Sequence, residues 1–220
     1  MKAALFIAAV ILAGCAAAAP APSERLPVAA YDPPVHGLQT AVLSGGCFWG
    51  VQGVFEHVRG VTKVWAGYDG GQRGTAHYDD VSTGITGHAE SVEITFDPAQ
   101  ISYGEVLRIF FSVATDPTQL NHQVPDEGPQ YRSEIFFRTP EQRLVAVRYI
   151  AQLGAARAFA HPIVTRVDPD HGFFRAEDHH QDYLVHHPRQ PYIALYDAPK
   201  LQQLKALFPQ RWRADPVLAL

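Results

Sequence analysis

Residues 39–58 read QTAVLSGGCFWGVQGVFEHV. Gln39 to Leu43 has the apolar character of a short strand, and beyond it Phe48, Val51, Phe55 and Val58 recur at the spacing of one helix face. Between the two periods stand Gly45 and Gly46, which permit the backbone angles of a tight strand-to-helix turn. Cys47 therefore sits where a strand hands over to a helix, beside two large aromatics, Phe48 and Trp49.

The same change of period recurs along the chain. Ser91 to Phe96 alternates strictly and closes on Asp97-Pro98, the pattern of a strand and turn. Ser102 and Glu105 have capping-box spacing, with Ile101 and Val106 placed as a hydrophobic staple. Ser133 to Arg138 reads as a strand, followed by a helix to about Phe159 with Thr139 as N-cap and Pro140 at its first position. A strand is predicted over Ile163 to Val167, and short helices near 177–186 and 198–207. Hairpin-like and crossover connections are mixed, which argues for an α+β domain with a small sheet covered by helices.

The chain has 220 residues, 47% of them hydrophobic, enough for one substantial core. Its 18 basic and 22 acidic residues are mixed, with no basic stripe to neutralise phosphates, so nucleic acid is not an expected partner. The segment MKAALFIAAVILAGC pairs Lys2 with an apolar run too short to span a bilayer, the pattern of a signal peptide over 1–14. Leu12-Ala13-Gly14-Cys15 resembles the lipobox of bacterial lipoproteins, in which Cys15 is acylated; the competing reading is ordinary cleavage within Ala16 to Ala19 and a soluble periplasmic protein. Residues 15–37 then form a lipidated N-terminus and an Ala/Pro-rich extended tether, 38–210 the folded domain, and 211–220 a tail. The expected location is the bacterial cell envelope, facing the periplasm; Ala16 after Cys15 favours the outer membrane.

Exported proteins use cysteine mostly in pairs, yet a modified Cys15 leaves Cys47 alone. One reading of Cys47 is a buried small hydrophobe; the other is a nucleophile whose thiolate is stabilised by the positive end of the following helix. At least one of Phe48 and Trp49 is expected beside the sulfur, where it would cage a small apolar group such as a methyl. Tyr78, Glu90, Asp126 and Tyr131 supply candidate acids. His88 and His122, with Asn121, raise a Cys-His hydrolase as an alternative, although their spacing lends it nothing. His179-His180 and His186-His187, seven apart, lack the offset of four that lets two imidazoles on a helix share an ion, so no metal site is expected.

GCFWG at 46–50, GYDGG at 67–71, TGHAESVEITFDP at 86–98, DPTQLN at 116–121, QYRSEIFF at 130–137 and AEDHHQDYL at 176–184 together resemble the A family of peptide methionine sulfoxide reductases. The resemblance extends over everything after residue 38. It implies a ferredoxin-like α/β-plait core with additional helices and a long C-terminal extension, and reduction of the S epimer of methionine sulfoxide, free or in peptides and proteins. Carried onto this chain, Cys47 is the nucleophile and Glu90 the acid toward the sulfoxide oxygen. Tyr78 and Tyr131 are further donors to that oxygen, Phe48 and Trp49 hold the methyl group, and Asp126 contacts the substrate.

No bound cofactor is implied, only an external thiol: a thioredoxin-like protein, or dithiothreitol in vitro. The chain departs from many members in having Ile193 after Tyr192 and Ser82 where further cysteines are common, which predicts a one-cysteine enzyme recycled by another molecule; a monomer is expected. Val124-Pro125, Pro129 and Thr75-Ala76-His77 also depart from the family pattern near the pocket. A catalytically inactive tethered binding protein is the remaining alternative.

Overall fold

The computed structural model describes residues 26–220; the expected signal peptide and Cys15 lie outside the described residues. β1 (Gln39–Gly45) turns through Gly46 into α1 (Phe48–Glu56), and β2 (Val61–Asp69) returns the chain. A loop with the single-turn α2 (Tyr78–Val81) precedes β3 (Ala89–Phe96). The Ser102 hydroxyl caps α3 (Tyr103–Ile109) by accepting from Glu105 N, and a π-helical turn over Phe110–Ala114 follows. Two-residue strands β4 (His122–Gln123) and β5 (Asp126–Glu127) form a small hairpin before β6 (Ser133–Phe137). Thr139 caps α4 (Pro140–Ala155) through Gln142 N, and β7 (Arg166–Pro169), β8 (Phe174–Arg175), α5 (Tyr183–His186) and α6 (Ala198–Leu207) complete the elements.

The six-stranded sheet has the order β7-β6-β1-β3-β2-β8. Its central strands β6, β1, β3 and β2 pair antiparallel, and the chain order β1-α1-β2-β3-α3-β6 is that of a ferredoxin-like plait. β7 extends one edge parallel to β6, and β8 extends the other antiparallel to β2. Because side chains alternate along a strand, Leu43, Val92, Ile94, Phe96 and Ile135 share the main core with Phe48, Val51 and Phe55 of α1, whereas Val42, Ala89 and Phe136 form a small cluster apart from it.

Several expected boundaries move. The helix opened by Thr139 stops at Ala155, because Arg157 adopts φ 50° and Ala158 N bonds back to Leu153 O, an αL-type termination. The strand expected over 163–167 is instead Arg166–Pro169, since Val164 N is committed to Pro117 O. The helix expected near 177–186 is broken. Gln181 is extended and buried, its amide bonding Ala66 N and Ala66 O at 2.9 and 3.0 Å, and Asp182 follows at φ 54°. Satisfying that buried amide outweighs one continued helical turn.

The domain is also longer at both ends than 38–210. From Leu26 the expected tether is a strap on α3 and α4: Leu26 and Ala29 are buried, Pro27 O accepts from Tyr149 Oη, Leu26 O accepts from Arg108 Nε, and Gly104 N donates to Asp32 Oδ1. The expected tail is likewise packed. Trp212 stacks on His57, Val217 N bonds Glu56 O, and the Asp182 carboxylate accepts from Ala219 N and Leu220 N.

Candidate active site

Cys47 stands at the N-cap of α1, 8% exposed. Three glycines allow it to be there, each for a steric reason. A Cβ on Gly45 would lie 2.8 Å from Phe110; Gly46 has φ +96° and a Cβ there would lie 2.6 Å from Gln123 Cβ. On Gly50 it would lie 2.0 Å from Asp197 Oδ1, so the helix start is pressed directly against a carboxyl group from the far C-terminal segment.

Glu90 comes to the same place through strand periodicity. It is two residues from Val92 and four from Ile94, on the face of β3 that α1 covers, and it is 2% exposed. Its Oε2 accepts a hydrogen bond from Phe48 N at 3.0 Å, one of the free donors of the helix start. Burial is the main force on this carboxyl; Asp126 and Asp197 add to it, the Phe48 N–H opposes, and the result is pushed up to about 8. At neutral pH Glu90 is a protonated acid.

The same desolvation acts on its neighbours. Burial, then the charges of Glu90 and Asp197, push the Cys47 thiol up, and the opposing hydrogen bond from Trp49 N–H is the smaller effect. The expectation that the helix end holds Cys47 as thiolate is thus corrected: with carboxyl groups on several sides, the resting group is the neutral thiol. Burial followed by Glu90 and Cys47 pushes Tyr78 up to about 12, and burial with Glu90 and Asp126 raises Tyr131 as well. Cys47, Glu90, Tyr78, Tyr131 and Asp126, spread from residue 47 to residue 131, therefore lie close enough to act on one another electrostatically.

The two aromatics divide their roles. Phe48 is fully buried, against Tyr68 at 5.8 Å and His180 at 5.3 Å, while Trp49 is half-buried. Trp49 stacks on Tyr183 with ring centroids 3.9 Å apart, its Nε1–H donates to His180 Nδ1, and Tyr192 meets it edge-on at 6.0 Å. Glu177 fixes the other side of this wall, its carboxylate accepting from Tyr68 Oη and Tyr78 N.

Sequence reasoning missed four of these residues. Tyr192 Oη donates to Asp126 Oδ2, Asp197 is fully buried, Lys200 pairs with it at 3.2 Å, and His180 is part of the aromatic wall. Burial and then His179 lower the His180 pKa, so its ring is neutral. Gly50 was the available signal, since a glycine inside a helical pattern marks a close approach by something else. The histidines of the hydrolase alternative are engaged elsewhere: His88 Nε2 is at 3.0 Å from Gln72 O, and His122 Nδ1 at 2.9 Å from Leu120 O.

Residues 39–212 match the family described as peptide methionine sulfoxide reductase. A Mesorhizobium japonicum protein named peptide methionine sulfoxide reductase MsrA 2 is 52% identical over 184 residues, covering 84% of this chain and 94% of that one. A Synechocystis protein of the same name is 51% identical over 180 residues, covering 82% and 84%. Among solved structures, methionine sulfoxide reductase A of Corynebacterium diphtheriae is similar with a TM-score of 0.59 and 32% identity, covering 70% of this chain and 77% of its own. Reduced Mxr1 of Saccharomyces cerevisiae is similar at 0.63 and 27% identity, covering 70% and 87%.

Proposed function

Because the chain belongs to the peptide methionine sulfoxide reductase family, we propose a specific division of labour for the thiol-dependent reduction of methionine sulfoxide that it carries out. The observation that carries the proposal is Glu90: a protonated, buried carboxyl bonded to Phe48 N at the first turn of the helix that Cys47 caps. A sulfoxide sulfur is a poor electrophile until its oxygen takes a proton, and a carboxyl kept neutral near pH 7 is the group suited to supply it. Tyr78 and Tyr131 donate to the same oxygen as charge develops there. Trp49, backed by Phe48, holds the methyl group, and Asp126 holds the substrate side of the basin.

Cys47 Sγ attacks the substrate sulfur. The oxygen passes to Cys47, the thiol proton ends on that oxygen, and Glu90 is protonated again, so that thiol plus sulfoxide become Cys47 sulfenic acid plus methionine. The substrate is the S epimer, free or in proteins. A thioredoxin-like dithiol then returns the sulfenic acid to thiol, and Lys2 to Cys15 export and tether the enzyme in the cell envelope, where it repairs oxidised proteins.

Purified protein assayed on the separated sulfoxide epimers is expected to reduce only the S form, and Cys47→Ser to reduce neither. Turnover by Cys47→Ser, or of the R epimer alone, overturns the assignment. Labelled palmitate is expected in the wild type and absent from Cys15→Ala; a soluble, unlabelled periplasmic product from the wild type refutes the anchor.

A further inference from the structure

A cavity reaches Cys47 between residues 112–126, 158–161 and 192–203, and its lining includes Cys47, Asp116, Asp126, His161, Tyr192 and Lys200. Tyr192 belongs both to this cavity and to the aromatic wall, where it meets Trp49 edge-on. Among the described residues, Lys200 is the one lysine or arginine in the lining. Its Nζ lies 3.2 Å from Asp197 Oδ1, and its charge also draws the Asp126 pKa downward against burial. Asp197 is otherwise isolated: its side chain is fully buried and its Oδ2 has no hydrogen-bond partner among the described residues.

Regenerating Cys47 requires a thiolate to attack the oxidised sulfur. That anion must come to a buried sulfur near Asp126 and Asp197, where an ionised carboxylate opposes a further negative charge. Cys47 is the sole cysteine among the described residues, so none of them offers a second thiol to make the attack. Building on the sulfenic acid mechanism above, we infer that Lys200 is a catalytic residue of the recycling step: its ammonium, steadied by Asp197, stabilises the incoming thiolate of an external dithiol in this cavity. The reductant sulfur forms a bond to Cys47 Sγ, the Sγ–O bond breaks, and the oxygen leaves as water with the proton the reductant thiol gave up. The second thiol of the dithiol then attacks the reductant's own sulfur in the mixed disulfide, which releases the Cys47 thiol and an oxidised dithiol.

The test separates the two half-reactions with S-sulfoxide as substrate and dithiothreitol or thioredoxin as the added dithiol. Without reductant, wild type and Lys200→Met are each expected to form about one methionine per enzyme, since thiol is consumed once. On adding dithiol, consumption of the sulfenic acid is expected to slow on the order of tenfold in Lys200→Met and to recover in Lys200→Arg, with the pH dependence of the slowed step displaced upward as the thiolate loses its counter-charge. Asp197→Asn/Lys200→Met leaves no unpaired buried charge and guards against a folding defect. Recycling at the wild-type rate in this double variant overturns the inference, as does a Lys200→Met effect confined to KM for peptide sulfoxide, which assigns the cavity to the substrate chain. Absence of the methionine burst from wild type refutes the sulfenic acid mechanism itself, a distinguishable failure.

Discussion

Glu90→Gln offers the sharpest test of the acid assignment, because one property of the buried carboxyl predicts opposite effects on activity and stability. The glutamine amide oxygen can keep the hydrogen bond from Phe48 N, now 3.0 Å from Glu90 Oε2, but it has no acidic proton to give. Loss of a positioned general acid costs about 10²–10⁴ in rate, or roughly 3–5 kcal/mol of barrier. In the wild type the acid is neutral until about pH 8, so the rate of methionine formation in a single turnover is expected to fall as pH rises through that value.

Stability runs the other way. The carboxyl is raised from 4.5 to about 8 in the folded chain. The folded state therefore holds a proton that the unfolded state has already lost between those values. Its stabilising contribution is fully present below about 4.5 and disappears as pH rises through about 8, a total on the order of 5 kcal/mol. Glutamine does not titrate, so Glu90→Gln is expected to gain on the wild type steadily across that window and to be the more stable protein at its upper end. Quench-flow rates and urea unfolding, measured on both proteins from about pH 4 to 9, read both effects. A rate that is flat through pH 8, or a Glu90→Gln rate within a few-fold of wild type, refutes the reasoning.

Gly50→Ala is expected to lose about 1–3 kcal/mol in urea unfolding, because its Cβ would occupy space 2.0 Å from Asp197 Oδ1 and force the helix start and the buried carboxyl apart. Tyr78→Phe keeps the ring against His180, 4.4 Å between centroids, and removes the oxygen donor; kcat is expected to fall roughly 10²-fold with KM nearly unchanged. In Tyr192→Phe the Asp126 carboxyl loses its hydrogen-bond donor, at an expected cost of about 1–3 kcal/mol by denaturant unfolding.

Local pattern carried much of this molecule. The change of period at Cys47, the alternation of Ser91 to Phe96, and the Ser102 and Thr139 caps are all realised, because each depends on residues within a few positions of one another. The elements that moved are those whose backbone is claimed from far away. Gln181 leaves the helix to bond Ala66, 115 positions distant, and the chain from Leu26 to Asp32 is ordered by α3 and α4 instead of running free. Ala and Pro content describes how a segment behaves alone, and it carries no information about a surface waiting to receive it.

The sequence alone determined the strand-to-helix turn that presents Cys47 and, through family resemblance, the chemistry, with Cys47, Glu90, Tyr78, Tyr131 and Asp126 as candidate residues for it. Only the tertiary structure decided the protonation of Glu90 and the identity of the groups that support the site. A pKa follows from what surrounds a group, and Glu90 is an acid near neutrality because a sheet and a helix close over it with Asp126 and Asp197 beside it. Asp197, Lys200, Tyr192 and His180 join the site by folding back across well over a hundred positions, a distance over which helix and strand periodicity carries no signal.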